Sequence, residues 1–135
     1  MRDRDQARED FVRAWVVSAE NDLTTGRAAL AAAMPSYETA SFHAQQAAEK
    51  AIKALLVKYQ VEFAKTHDIG ALLALAERVA PGIARALGRA EVLSRRAVEA
   101  RYPTPGEVIG HEEAARDLEL GGEVLDDVRQ RLAES

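Results

Sequence analysis

The chain has 135 residues, with 18 lysines and arginines against 22 acidic residues, no cysteine and 47% hydrophobic residues. This length fits a single domain over residues 1–135, and the lack of cysteine excludes disulfides, thiolate nucleophiles and cysteine-ligated metals. The formal net charge of −4 argues, taken alone, against a nucleic-acid-binding protein. The 27 alanines and the 5% aromatic content are typical of a helical bundle rather than a β-sandwich or barrel.

Two features of the sequence bear on its location. No segment approaches the ~20 apolar residues of a membrane span. The N-terminal string MRDRDQARED alternates basic and acidic residues, whereas a signal peptide begins basic and continues apolar. We therefore expect a cytoplasmic protein.

The first two predicted helices are separated by a proline. Apolar residues recur at helical spacing from Asp10 to Ala33. Pro35 ends this helix, because the residue before a proline is disfavoured in the α region. Ser36 can cap the next helix, which covers about residues 37 to 60, with Thr39 and Ser41 as competing choices. This second helix carries a stripe of mostly small side chains, which predicts that another helix can approach it closely: Ala44, Ala48, Ala51 and Leu55.

A third helix is predicted after the step Thr66-His67-Asp68, with Asp68 or Thr66 as its N-cap. Pro81-Gly82 stops it. Residues 83 to 100 show a weaker helical pattern.

The last part of the chain begins with a turn and ends with a helix. Two prolines and a glycine exclude residues 101–106 from a helix interior. An amphipathic helix follows over about residues 112 to 132, and no strand-like alternation occurs anywhere in the sequence. The predicted fold is therefore all-α, an up-and-down helical bundle of four to five helices.

The second helix carries the densest group of polar residues: Gln45, Gln46, Glu49, Lys50 and Lys53. Gln45 and Glu49 share a helical row with apolar neighbours. Two interpretations are open. The group is a solvated helix edge, as charged residues mostly are, or it is a polar patch at a dimer interface or in a ligand cleft.

On the first helix, Trp15 and Asp22 lie seven residues apart and hence on one face. Asp22 stands at the edge of the apolar stripe, where it could pair with a lysine of the second helix. The alternative is that Trp15 fills the core and Asp22 lies at the surface.

Motifs for metal binding and catalysis are absent from the sequence. His43, His67 and His111 have no helical metal-ligand spacing of the HExxH kind. No serine stands in a G-x-S-x-G turn, and no glycine-rich phosphate loop occurs. We therefore expect neither a metal nor a cofactor.

The string FHAQQAAEKAIKALL at residues 42–56 resembles the HEPN domain family, helical domains named for higher eukaryotes and prokaryotes and for nucleotide binding. Three further segments match in order. The segment from Trp15 through Asp22-Leu23 resembles the first helix of the family. Lys65-Thr66-His67-Asp68-Ile69 resembles the K-T-H-D-L entry into its third helix, and Arg101-Tyr102-Pro103 resembles the R-Y-P before its final acidic helix. Together these segments cover about residues 10 to 132.

The resemblance implies a bundle that dimerises through its first helices and a minimal nucleotidyltransferase as partner, in a toxin–antitoxin-like pair. Many members are metal-independent ribonucleases whose active site, assembled across the dimer, is an Arg and a His separated by four to six residues. Here nine residues lie between Arg101 and His111. The chain therefore resembles the branch without the ribonuclease motif.

From this resemblance we predict a homodimeric module that binds a nucleotidyltransferase and, as a further ligand, a nucleotide or RNA, without catalysis of its own. The candidate ligand-binding or interface residues are Gln45, Gln46, Glu49, Lys50, Lys53, Lys65, Thr66, His67, Arg101 and Tyr102. The alternative is a metal-independent ribonuclease with a displaced site, in which Arg101 acts with His67 or His111. His67 also fits a structural role at the start of the third helix. For the turn that contains Arg101, two roles are open: it braces the bundle, or it faces a phosphate.

The net charge is unevenly distributed along the chain. Residues 106–135 hold three basic against nine acidic residues, whereas residues 66–105 hold six against four. All four lysines fall between Lys50 and Lys65. The acidity therefore belongs mainly to the last helix, a predicted solvated face, and the mildly basic middle of the chain leaves nucleotide or RNA binding open.

Overall fold

The computed structural model describes residues 3–99 and 108–134. Its helices are α1 (Arg4–Ala31), α2 (Tyr37–Lys58), α3 (Ile69–Glu77), α4 (Ile83–Leu87), a 3₁₀ helix (Gly88–Leu93), α5 (Ser94–Glu99) and α6 (His111–Glu134). No strand occurs in the described ranges, and the predicted all-α bundle is confirmed. None of the helices described there combines the length and the apolar character that crossing a membrane would require.

Helix α1 begins earlier than the apolar spacing predicts. The Asp3 carboxylate accepts a hydrogen bond of 2.8 Å from the backbone N–H of Gln6, and Arg8 pairs with Asp5 at 2.8 Å. A cap and an i,i+3 ion pair stabilise a helical turn that has no apolar face. Apolar periodicity therefore detects this helix only from about Asp10 onward.

Two predicted N-caps are confirmed. The Ser36 hydroxyl accepts from the backbone N–H of Thr39 at the start of α2. The Asp68 carboxylate accepts from the backbone N–H of Ala71 at 3.1 Å and so starts α3. The start of α3 matters for the site, because it fixes the loop that carries His67.

Helix α2 lies at the centre of the bundle, packed against α1 and α6. The predicted stripe of mostly small side chains is fully buried, at Ala44, Ala48, Ala51 and Leu55. A Cβ added at Gly121 of α6 would stand 2.8 Å from the carbonyl oxygen of Ala44, and one at Gly26 of α1 would stand 3.1 Å from that of Ala40. These two glycines let both neighbouring helices approach the α2 backbone.

The segment from 83 to 99 is not the single helix that its sequence pattern indicates. It is divided into α4, the 3₁₀ helix and α5. Gly88 stands at the first junction, where a glycine weakens a helix. The apolar residues of the predicted pattern are still buried, namely Ile83, Leu87, Ala90 and Leu93. The apolar side of this segment is therefore buried although the helix is not continuous.

Helix α6 has the predicted amphipathic seam. The residues Ala114, Leu118, Gly121, Leu125 and Val128 are all buried. The prediction of a solvated acidic face is wrong for Asp117, which is 3% exposed and pairs with Arg96 of α5. A buried carboxylate requires such a partner.

Candidate functional site

Several of the predicted residues meet at the carboxylate of Glu49 on α2, in what we call the Glu49 cluster. Glu49 Oε1 accepts from Gln45 Nε2 at 2.8 Å and lies 2.7 Å from His67 Nδ1. Glu49 Oε2 accepts from Lys53 Nζ at 2.7 Å. Gln46 Nε2 joins by donating to Gln45 Oε1 at 2.7 Å. Gln45, Glu49 and Lys53 are all buried, so the interpretation as a solvated helix edge is wrong for these three.

The Glu49 carboxylate carries a charge inside the bundle. Burial raises the pKa of the Glu49 carboxyl, but hydrogen bonds from Lys53, His67 and Gln45 outweigh burial and hold the pKa below its usual 4.5. Glu49 is therefore ionised at neutral pH and neutralises the ammonium group of Lys53.

Two aromatic rings complete the surroundings of Lys53. Its Nζ lies 5.8 Å from the ring centroid of Trp15 and 5.6 Å from that of Phe63, both within the range of a cation–π contact. Trp15 belongs to α1, whereas Phe63 and His67 belong to the loop before α3. The Glu49 cluster therefore joins α1, α2 and this loop.

A second cluster, which also joins a carboxylate to a lysine and a histidine, surrounds Asp22 of α1, and we call it the Asp22 cluster. Asp22 Oδ2 lies 2.8 Å from Lys50 Nζ, and Asp22 Oδ1 lies 2.8 Å from His43 Nδ1. Of the two alternatives for Asp22, pairing with a lysine of the second helix is the one observed, and a surface position is wrong because Asp22 is buried. The structure thus separates Lys50 from the other predicted polar residues of α2. Sequence reasoning missed His43, although it precedes Lys50 by seven residues and so lies on the same helical face.

The two clusters share one chemical arrangement. Each carboxylate contacts one ammonium group and the Nδ1 atom of one imidazole. Holding Nδ1 in this way orients the ring and leaves Nε2 for a ligand. The His43 and His67 side chains are 25% and 38% exposed. Both lysine charges, however, are already matched by a carboxylate, so the clusters carry no surplus positive charge.

The remaining predicted site residues are placed elsewhere. Lys65 is exposed, and the Thr66 hydroxyl accepts from the backbone N–H of Asp68 at 3.0 Å, which is a local turn. Arg101 and Tyr102 lie outside the described residues. The alternative of a ribonuclease that uses Arg101 therefore stays a prediction.

The outer side of α1 presents a surface of a different kind, which we call the α1 stripe. Uncharged residues recur every three or four positions along the helix, at Ala7, Phe11, Ala14, Ser18, Asn21, Thr25 and Ala28. All are exposed except the half-buried Ser18. The largest side chain among them, Phe11, is 57% exposed. This spacing places them on one face of the helix. A long exposed face without charges is unusual for a surface helix of a protein rich in Arg and Glu.

Comparison with known proteins agrees with this architecture. The family model of the HEPN domain matches residues 12–131. The crystal structure of an archaeal HEPN homologue superposes with a TM-score of 0.71 at 28% sequence identity, covering 89% of this chain and 96% of that chain. No sequence among the curated proteins gives a significant match. The family match spans nearly the whole chain, and the chain therefore belongs to the HEPN domain family.

Proposed function

We propose that this chain is a homodimeric HEPN module that binds a minimal nucleotidyltransferase in a toxin–antitoxin-like pair. A nucleotide or RNA is its further ligand, and it has no catalysis of its own. The observation that carries the proposal is the α1 stripe, an uncharged and exposed surface along a helix of 28 residues.

The chemistry of the α1 stripe suits a second copy of the same helix. A helix of this length spans about 42 Å at 1.5 Å per residue, which offers a long self-complementary surface. Alanine and serine at most positions allow close backbone approach, while Phe11 supplies an aromatic anchor of the kind found in interfaces. A two-fold interface uses the same patch on both subunits, so a single stripe is sufficient.

The polar clusters support the absence of catalysis. In the Glu49 cluster every carboxylate oxygen is occupied, and the nearby Lys53 ammonium is buried and paired. Cleavage of RNA without metal requires a cation near the phosphate and a proton donor or acceptor within hydrogen-bond reach. The nine residues between Arg101 and His111 depart from the ribonuclease spacing of the family.

Charge introduced into the middle of the α1 stripe is expected to abolish the dimer. Ala14→Arg places a guanidinium in a surface that would otherwise be desolvated, and burying an unpaired charge is costly. Size-exclusion chromatography with light scattering should give about twice 14.7 kDa for the wild type and about 14.7 kDa for Ala14→Arg. The control is Ala74→Arg, the same substitution at an exposed position of α3, which should remain dimeric. A wild type that is monomeric at micromolar concentration contradicts the proposal.

The partner is tested by co-expression. We expect the gene beside this one to encode a minimal nucleotidyltransferase, and the tagged chain to retain that protein through affinity purification and gel filtration. Retention by the Ala74→Arg variant is the matched control. Separate elution of the two proteins, or an unrelated neighbouring gene, counts against the partner but leaves the dimer untouched.

A further inference from the structure

A groove that shares no residue with the α2 clusters is lined by four arginines and by four carboxylates, Glu113, Asp117, Glu119 and Glu123. It lies between the 3₁₀ helix and α5 on one wall and α6 on the other, with a volume of about 480 Å³. Small-molecule sites typically measure roughly 300–1,000 Å³. Four arginines line it, Arg89, Arg95 and Arg96 from the first wall and Arg116 from α6, and we call it the arginine groove.

The floor of the arginine groove is a buried ion pair. Arg96 Nε donates to Asp117 Oδ2 at 2.7 Å, and Arg96 Nη2 lies 3.7 Å from Glu113 Oε2. The Arg96 and Asp117 residues are 7% and 3% exposed. Losing one partner of such a pair would leave a buried charge without compensation. The pair therefore holds α5 against α6 and gives the groove a fixed shape before any ligand arrives.

Two arginines of the groove have no such partner among the described residues. Arg95 and Arg116 are exposed, and in the described ranges no carboxylate lies within ion-pair distance of either guanidinium. They stand on different walls of the same cavity. Arg89, by contrast, already pairs with Glu123. Guanidinium groups bind phosphate oxygens through paired hydrogen bonds, so an oxyanion between the walls would satisfy both free arginines.

Other lining residues narrow the class of ligand. Glu119 also lines the groove and makes no ion pair with the described residues, which favours a ligand that carries hydrogen-bond donors beside its anionic group. Val92, 39% exposed, and Leu120 add an apolar surface. A bare inorganic anion would use neither feature. A phosphate ester with hydroxyl and amino groups on a flat apolar body uses both.

The two lysines of the α2 clusters, Lys50 and Lys53, offer no unpaired positive charge. Lys50 is paired with Asp22 and Lys53 with Glu49, each with an N–O distance of 2.8 Å or less. A phosphate there would compete with a carboxylate that is already in place. Sequence patterning locates the phosphate ligand on α2, whereas two arginines without an ion pair to the described residues, Arg95 and Arg116, line one groove between α5 and α6.

We propose that the arginine groove binds the phosphate group of a nucleotide, either free or as a unit of RNA, between Arg95 and Arg116. This inference rests on the ligand-binding part of the proposed function and assigns it a site. The phosphate lies between the two guanidinium groups, the sugar or base donors face Glu119, and the base packs on Val92 and Leu120.

The test compares two double variants of the full chain that change the net charge equally. In Arg95→Ala/Arg116→Ala both free cations of the groove are removed. In Arg78→Ala/Arg85→Ala two exposed arginines outside the groove are removed. The probes are ADP, measured by calorimetry, and a short fluorescein-labelled single-stranded RNA, measured by anisotropy. The thermal unfolding midpoint of each variant reports whether it is folded.

We expect the groove variant to raise the Kd by at least about tenfold for one of the two probes, with the control variant within about twofold of the wild type. The probe that responds tells a free nucleotide from RNA. Equal weakening by both variants means diffuse electrostatic attraction and overturns the inference, as does an absence of binding of either probe by the wild type. If binding is instead lost in Lys50→Ala/His67→Ala and kept in the groove variant, the assigned site is wrong while nucleotide or RNA binding stands.

Discussion

Replacing Gly121 by alanine is expected to destabilise the fold, although alanine is the better helix former by about 1 kcal/mol. The added Cβ would stand 2.8 Å from the carbonyl oxygen of Ala44 and 3.3 Å from its Cα. Both atoms belong to the backbone of the central helix, which no rotamer change can move. Overpacking of this kind lowers the free energy of unfolding by about 1–3 kcal/mol. Gly121→Val adds two further methyl groups and should lower it by about 3 kcal/mol or more.

The neighbouring glycine is the matched control for this prediction. A Cβ at Gly122 meets only the end of the Arg27 side chain, at 3.4 Å, which can move aside. Gly122→Ala should therefore leave the free energy of unfolding unchanged or raise it by up to about 1 kcal/mol. Urea denaturation of both variants measures the difference. Equal stabilities would show that α6 can shift away from α2 at no cost.

Removing the Glu49 carboxylate should produce a loss of similar or greater size. In Glu49→Ala the Lys53 ammonium stays buried, at 6% exposure, without its counter-charge. Breaking a buried pair from one side costs about 3–5 kcal/mol. The exposed Glu62→Ala, in the loop after α2, should stay within about 0.5 kcal/mol of the wild type. A Glu49→Ala variant as stable as Glu62→Ala would show that the Lys53 ammonium finds solvent without the carboxylate.

The same carboxylate gives the stability a predictable dependence on pH. The folded-state pKa of Glu49 lies below 4.5, so its contribution is present above the unfolded value and is lost as pH falls through the folded one. The difference in free energy of unfolding between wild type and Glu49→Gln should therefore shrink as the pH falls below about 4.5 and through the folded-state pKa. The pKa of Glu77 is also lowered, by hydrogen bonds from the backbone N–H groups of Gly82 and Ala84, but Glu77 is present in both proteins and cancels.

The sequence is sufficient to predict features that depend only on residues close together along one helix, such as N-caps and stripes of small side chains. The caps at Ser36 and Asp68 and the small-residue stripe of α2 are local patterns, and all three are observed. The pairing of Asp22 with a lysine of α2 was one of two interpretations that the sequence left open, and the fold decides between them because it buries the Asp22 carboxylate beside Lys50.

What the sequence does not reveal depends on contacts between distant segments. His67 reaches Glu49 across 18 positions and a loop, and Arg96 reaches Asp117 across 21 positions. No periodicity encodes such pairs. For the same reason Lys50 and Lys53 of α2 resemble a phosphate site in sequence, although a carboxylate already neutralises each of these two lysines in the fold.

Trp15 has a position that gives the molecule an optical probe of its own. It is the one tryptophan of the chain, and its ring centroid lies 6.3 Å from that of Phe11 on the α1 stripe and 5.8 Å from the Lys53 ammonium of the Glu49 cluster. Indole emission responds to the polarity and charge around the ring. Unlabelled protein therefore reports by its intrinsic fluorescence on two events, the covering of Phe11 by a second chain and the loss of the buried Lys53 contact.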